Sequence, residues 1–182
     1  MNRMKILLSA ALMLAATASI AQDFSDPRYA PWGDTPEQRK QNILMSNLLK
    51  ESVDTRDYDA AAHYYRTLAQ EAPSASEATF IRGAQVYSNK VQRAQTLEEK
   101  KVLLDSLMAI YDLRVQYFPA SPNYGTAYVL DRKAREYLTF NPSDREGVRK
   151  LYKEAIEAGL QSGYAALPDV ALVYFSNLCD DY

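Results

Sequence analysis

Apolar side chains recur at helical spacing along residues 56–73, which read RDYDAAAHYYRTLAQEAP. Steps of three and four residues place them on one face of an α-helix. These residues are Ala61, Tyr64, Tyr65, Leu68 and Ala72. Asp57 supplies an N-cap carboxylate for the amides of the first turn, and Pro73 cannot continue the helix. The pattern predicts a helix that packs closely on a neighbour through its small residues Ala60–Ala62.

Six further segments show helical apolar spacing, and most open with a helix-start signal. The signals are a Ser or Thr followed three residues later by Glu or Gln, or a cap residue followed by proline. They are found at Thr35–Gln38, Ser74–Glu77, Thr96–Glu99, Ser143–Glu146 and Ser121-Pro122. The last helix is expected from about Tyr164, and no stretch alternates like a strand. The sequence therefore predicts an all-α domain at residues 36–182, with about seven antiparallel helices in a solenoid or a bundle.

The segment from residue 56 to 73 resembles the second helix of a tetratricopeptide (TPR) repeat. Tyr58, Ala61, Tyr65 and Pro73 match the family pattern, whereas Leu68 stands where the family usually has a second Ala. The segments FIRGAQVYSNKV and SLMAIYDLRVQYFP are similar to helix pairs of exported TPR proteins of bacterial cell envelopes. This resemblance implies a TPR-like helix-turn-helix solenoid that acts as a scaffold or adaptor and is not an enzyme. The predicted odd helices recur every roughly 40 residues, against about 34 in TPR proteins, so we expect a lengthened second pair.

The first 21 residues have the pattern of a secretory signal peptide. Arg3 and Lys5 precede the apolar run Ile6–Ala18, and Ser19–Ala21 is a small-x-small cleavage site. We expect export to the periplasm or cell envelope, with cleavage after about Ala21. The alternative is a short transmembrane anchor, although the run is short and rich in Ala and Ser.

Composition narrows the classes of partner. Removing Arg3 and Lys5 shifts the formal net charge from −2 to −4, which argues against nucleic acid or anionic lipid as the main partner. The single cysteine, Cys179, excludes an internal disulfide framework, so stability must come from helix packing. No segment after the signal is apolar enough to span a membrane.

Residues 22–35 contain two prolines, a glycine and three aromatic residues, and predict an extended N-terminal arm. We expect Trp32 to lie on the first helix pair and close that end of the stack. The functional alternative is an aromatic contact of Trp32 with a glycan or peptide.

The sequence offers no convincing catalytic or metal site. His63 is the only histidine, whereas zinc sites usually need three or four nitrogen or sulfur ligands. A Ser triad would have to share that histidine, and Cys179 has the same shortage of a base. No glycine-rich phosphate loop is present. We therefore expect no catalytic residue, no metal and no cofactor.

The concave face of a helix-pair stack is built mainly from the first helix of each pair, and partners commonly bind there. Polar residues of the first helices that point away from the core are the predicted partner-binding set. They are Asn47, Glu51, Arg82, Gln85, Asn89, Arg132, Arg135 and Glu136. The three arginines suit an acidic segment or a C-terminal carboxylate.

The sequence thus predicts an exported TPR-like adaptor with a protein or peptide partner. A first alternative is a carbohydrate-binding envelope protein that uses Trp32 and surface tyrosines, since the chain has 14 tyrosines. A second is a small hydrolase dependent on His63. The seventh helix has no predicted partner, so either it caps the stack or the natural protein continues beyond Tyr182. The apolar face of Val170, Val173 and Leu178 and the nearby Cys179 favour continuation.

Overall fold

The computed structural model describes residues 23–120 and 125–179, and every regular element in these ranges is a helix. A short 3-10 helix, η1, precedes seven α-helices. The elements are η1 (Pro27–Trp32), α1 (Pro36–Asp54), α2 (Tyr58–Glu71), α3 (Glu77–Arg93), α4 (Leu97–Tyr117), α5 (Thr126–Phe140), α6 (Arg145–Ser162) and α7 (Leu167–Cys179). The predicted all-α fold is confirmed. The predicted signal peptide and the Ser121-Pro122 start signal lie outside the described residues.

Two of the predicted capping boxes have the expected cap residue, and one of them is complete. At α1, Thr35 Oγ1 accepts the amide of Gln38 at 3.2 Å, and Gln38 Oε1 accepts the amide of Thr35 at 3.1 Å. At α4, Thr96 Oγ1 accepts the amide of Glu99 at 3.1 Å. The Glu99 carboxylate, however, bonds the amide of Gln95 at 2.9 Å, one residue before the cap. Thr96 is therefore the cap of α4, but its box is incomplete.

The other two predicted boxes are wrong in their cap residue. Helix α3 is preceded by Ser76, whose side chain makes no capping hydrogen bond, so the box from Ser74 does not form. Helix α6 is capped by Asp144, not by Ser143, and Asp144 Oδ1 accepts the amide of Gly147 at 3.0 Å. Its other oxygen accepts the hydroxyl of Tyr137, and this second bond fixes the carboxylate at the helix start.

Consecutive helices pack in pairs along the whole described chain, and α3 additionally contacts both α1 and α5. The apolar face predicted for α2 lies in the core, with Ala61 and Leu68 fully buried and Tyr65 4% exposed. This core extends from α1 to α5, and a smaller core around Tyr152 and Val170 joins α5, α6 and α7. No described helix has the length and apolar character needed to cross a membrane.

The predicted arm is not extended, because residues 27–32 form η1 and pack on α1. Arg39 holds this segment through its guanidinium, which donates to the carbonyls of Gly33 at 2.8 Å and Phe24 at 3.1 Å. Asn42 donates its amide to the carbonyl of Trp32 at 2.8 Å. Trp32 itself is half-buried against the first core.

Candidate functional site

A groove of about 300 Å³ lies between α3 and α5, with α4 contributing to its lining. Two helical faces form its sides. Residues of α3 at i, i+3, i+4, i+7 and i+8 share one face, as do residues of α5 at i, i+4 and i+8. The lining residues are Ile81, Ala84, Gln85, Ser88 and Asn89 from α3, Tyr111 and Arg114 from α4, and Tyr128, Arg132 and Glu136 from α5.

The groove brings together four of the eight residues predicted to bind a partner. They are Gln85, Asn89, Arg132 and Glu136. Asn47 and Glu51 lie on α1, exposed and away from this groove. Arg82 is half-buried on α3 and does not line it.

Arg135 faces a different part of the molecule. Its guanidinium donates to Asp131 Oδ1 at 2.7 Å, and Asp131 is 4% exposed. The other oxygen of Asp131 accepts the hydroxyl of Tyr164 at 3.3 Å. Arg135 therefore neutralises a buried carboxylate near α6 and α7, and it is held outside the groove.

Arg114 is a groove residue that the sequence reasoning missed. It is 6% exposed, and its guanidinium donates to the Glu77 carboxylate at 3.0 and 2.9 Å. The same group lies 5.9 Å from the ring centroid of Tyr128. Arg114 follows Leu107 by two helical turns and Tyr111 by three residues, so it stands on the apolar stripe of α4. A charged residue on an apolar helix face is usually buried only together with a partner. The position of Arg114 on this stripe could therefore have indicated a buried ion pair.

Tyr111 contributes an uncharged phenol to the lining of the groove. Burial raises the pKa of its phenol to about 12, and the neighbouring Glu136 carboxylate adds to this shift. The Arg132 and Arg114 guanidiniums oppose the shift but do not cancel it. The hydroxyl therefore stays protonated at neutral pH and can both donate and accept a hydrogen bond.

The remaining polar side chains of the groove differ in whether they already have a hydrogen-bonding partner within the protein. Glu136 Oε2 accepts the hydroxyl of Ser88 at 3.1 Å, which links α3 to α5. Asn89 donates its side-chain amide to the Gln85 carbonyl at 2.9 Å. Arg132 is exposed and forms no hydrogen bond or ion pair with any described residue. The groove thus presents one guanidinium for an incoming carboxylate, beside amide groups that suit a peptide backbone.

The residues that catalysis, metal binding or glycan binding would require do not lie together in one site. His63 is exposed and packs 5.5 Å from the Tyr64 ring centroid, and Cys179 is exposed at the end of α7. Within residues 23–120 and 125–179, no group of three or more His, Cys, Asp or Glu residues could hold a metal ion. Trp32, in η1 on α1, packs against the larger core and does not line the α3–α5 groove.

Comparison of the chain with models of known protein families, with curated proteins and with solved structures gives no match.

Proposed function

We propose that this protein is an exported, TPR-like adaptor of the bacterial cell envelope, and that the α3–α5 groove binds a carboxylate-bearing segment of a protein partner. The observation that carries the proposal is Arg132, an exposed guanidinium without a partner among the described residues, on the wall of a polar groove. A guanidinium binds a carboxylate through two parallel hydrogen bonds, which gives direction as well as affinity.

The packing of the helices supports the architectural part of the proposal. Helix α3 contacts α1 on one side and α5 on the other, as well as its neighbours in sequence. Contacts between alternate helices are expected where the first helices of successive pairs line one face of a stack. The TPR-like motif of α2 and the signal-like N-terminus favour the same class of protein.

The groove is also equipped to bind an extended chain. Gln85 and Asn89 place carboxamides along α3, opposite Arg132 on α5. Carboxamides can donate to and accept from a peptide backbone, independently of the peptide's sequence. The exposed side chain of Ile81, at 42%, offers an apolar contact beside these polar groups.

The proposal is tested by using residues 22–182 as bait in an envelope extract, with cross-linking and mass spectrometry. Arg132→Glu is the test variant, and Arg82→Glu, on α3 but outside the groove lining, is the matched control for the charge change. We expect one dominant protein partner that is lost with Arg132→Glu and retained with Arg82→Glu. Cross-links should connect the partner to residues that border the groove.

Each of three other results would contradict a different part of the proposal. A partner retained by Arg132→Glu would exclude the groove but keep the adaptor function. Recovery of glycan-rich material, with quenching of the single tryptophan by glycans, would favour the carbohydrate-binding alternative. A hydrolytic activity abolished by His63→Ala would favour the enzyme alternative.

A further inference from the structure

Three charged side chains line the α3–α5 groove, and they differ in how they are paired. Arg114 is bound to Glu77 at 2.9 Å, so the charge of this buried guanidinium is compensated within the protein. Arg132 and Glu136 lie four residues apart on α5, and both line the groove. Beyond the Arg114–Glu77 pair, the groove therefore has one positive and one negative group.

Arg132 and Glu136 do not form the ion pair that their spacing allows. Residues four apart are neighbours on a helix surface, and on α6 the opposite charges of Lys153 and Glu157 approach to 4.0 Å. Glu136 instead turns toward α3, where its Oε2 accepts the hydroxyl of Ser88 at 3.1 Å. Arg132 forms no hydrogen bond or ion pair with a described residue. The two charges thus remain separate within the groove.

Tyr111 lines the groove next to both charges. Burial raises the pKa of its phenol, the Glu136 carboxylate raises it further, and the Arg132 guanidinium opposes that rise. Both side chains therefore lie close enough to the same phenol to affect its ionisation. A carboxylate that binds Arg132 beside this phenol also comes near Glu136, and the two negative charges repel each other.

We propose, on the basis of the function proposed above for the groove, that the bound segment of the partner carries a basic side chain beside its carboxylate. The carboxylate binds Arg132, and the lysine or arginine of the segment donates to Glu136. A purely acidic segment would leave Glu136 repelling the ligand, whereas a segment with both charges compensates both walls of the groove.

Helix geometry also sets the spacing of the two charges in the partner. The Cβ atoms of residues four apart on a helix are about 5–6 Å from each other. In an extended peptide, side chains on one face are two residues apart, which corresponds to about 6.5–7 Å. We therefore expect an acidic and a basic residue separated by one residue, since adjacent residues would point to opposite faces.

The experiment titrates the 15N-labelled full chain with capped pentapeptides and follows binding by NMR. The first peptide has glutamate at its second position, lysine at its fourth and alanine elsewhere. A second peptide has norleucine in place of lysine, a third has glutamine in place of glutamate, and a fourth has glutamate and lysine adjacent. We expect the first peptide to bind about fivefold more tightly than each of the others.

Glu136→Gln is the test variant, because its amide oxygen can still accept the hydroxyl of Ser88 while the charge is removed. It should weaken binding of the first peptide and strengthen binding of the norleucine peptide, from which a repulsion has been removed. A merely structural role of Glu136 would not change the two affinities in opposite directions. Glu157→Gln removes a carboxylate at the same spacing from a cation on α6 and should change neither affinity.

The outcomes separate this inference from the proposed function of the groove. If the first two peptides bind equally and Arg132→Gln weakens both, the groove binds carboxylates but the inference of a basic neighbour is wrong. Equal loss of both peptides in Glu136→Gln would also overturn it. If no peptide binds, the proposed function of the groove fails, and this inference fails with it.

A small zwitterion distinguishes the source of the two charges. The compound 6-aminohexanoate carries a carboxylate and an ammonium group but no peptide bond. We expect it to bind more weakly than the first pentapeptide, because it cannot bond the carboxamides of Gln85 and Asn89 through a backbone. Tighter binding of 6-aminohexanoate would show that the assignment to a polypeptide segment is wrong.

Discussion

The ring of Tyr65 on α2 lies directly over Gly83 on α3, so closely that a methyl group at residue 83 would overlap the ring. Phe80 and Tyr87, on the same face of α3, flank this contact with ring centroids 6.3 and 5.9 Å from that of Tyr65. The edge-on geometry of both pairs is the favourable one for aromatic rings. A glycine in mid-helix costs helix stability, and here that cost allows two helices to approach.

Replacing Gly83 by alanine is expected to destabilise the protein despite the better helix propensity of alanine. Overpacking a core costs about 1–3 kcal/mol, and the gain in propensity returns about 1 kcal/mol, so we expect a net loss of up to about 2 kcal/mol. Urea unfolding monitored by circular dichroism measures this change. In a Tyr65→Leu background the same substitution should be neutral or stabilising, and an equal loss in both backgrounds would show that the ring is not the cause.

The contact also shows which part of the fold was readable from the sequence. The apolar stripe of α2 depends on residues within one helix, so periodicity predicted it, and Ala61, Tyr65 and Leu68 are buried. The role of Gly83 depends on which helix lies opposite and at what distance. A helical pattern contains no information about that distance, so this contact could not be predicted.

Removal of Arg114 alone from its buried ion pair with Glu77 is expected to destabilise the protein strongly. Arg114→Met removes the guanidinium and leaves the Glu77 carboxylate, whose side chain is only 20% exposed, without this charge. We expect a loss of about 2–3 kcal/mol, below the usual range for a fully buried pair because water still reaches Glu77. Denaturant unfolding measures it.

Two further variants separate the charge from the packing. Adding Glu77→Gln to Arg114→Met should recover part of the loss, because no buried charge then remains from this pair. Lys50→Met is the surface control. Lys50 forms an ion pair with Asp54, and both side chains are exposed, at 60% and 59%. It should change stability by less than about 0.5 kcal/mol. A larger effect at Lys50 than at Arg114 would contradict the argument from burial.

Alkaline pH should unfold this protein through its buried tyrosines. Burial raises the pKa of Tyr111 to about 12 and raises that of Tyr65 as well. Because the unfolded chain releases these protons near pH 10, the stabilisation is complete below pH 10 and is lost as pH rises toward the folded-state pKa. We expect Tyr111 alone to cost about 1.4 kcal/mol per pH unit in that window.

Comparison with Tyr111→Phe checks this prediction. Stability measured by urea unfolding from pH 8 to pH 11 should fall more steeply in the wild type than in the variant, because phenylalanine has no proton to lose. The absorbance of ionised tyrosine, followed in parallel, should rise in the wild type as unfolding occurs. Identical pH dependence in the two proteins would exclude Tyr111 as a contributor.

The groove was predicted in part, and the missing part has a physical reason. Gln85, Asn89, Arg132 and Glu136 are polar residues on the outer faces of odd helices, and helical geometry alone places them near one another. Arg135 follows Arg132 by three residues and shared that expectation, but it is held by Asp131, a buried carboxylate that also accepts the hydroxyl of Tyr164 between α6 and α7. Which arginine stays available depends on contacts between distant helices, and a local pattern does not contain them.

The start of α6 offers a direct comparison between a cap expected from the sequence and the one in the structure. The capping-box rule favours Ser143, whereas Asp144 accepts both the Gly147 amide and the Tyr137 hydroxyl. Asp144→Ala should therefore lower the free energy of unfolding by about 1–2 kcal/mol, and Ser143→Ala should change it by less than about 0.5 kcal/mol. Thermal and urea unfolding of both variants measure the difference.

The pH dependence of stability in the Asp144→Ala and Ser143→Ala variants tests whether the Asp144 carboxylate is what stabilises the start of α6. The hydrogen bonds from Tyr137 and from the Gly147 amide hold the pKa of Asp144 below its usual value. This stabilisation is present above about pH 4 and is lost as pH falls through the lowered pKa. Asp144→Ala should thus remove part of the acid sensitivity, and Ser143→Ala should leave it unchanged. The reverse result, with loss at Ser143 and none at Asp144, would restore the cap that the sequence pattern favours.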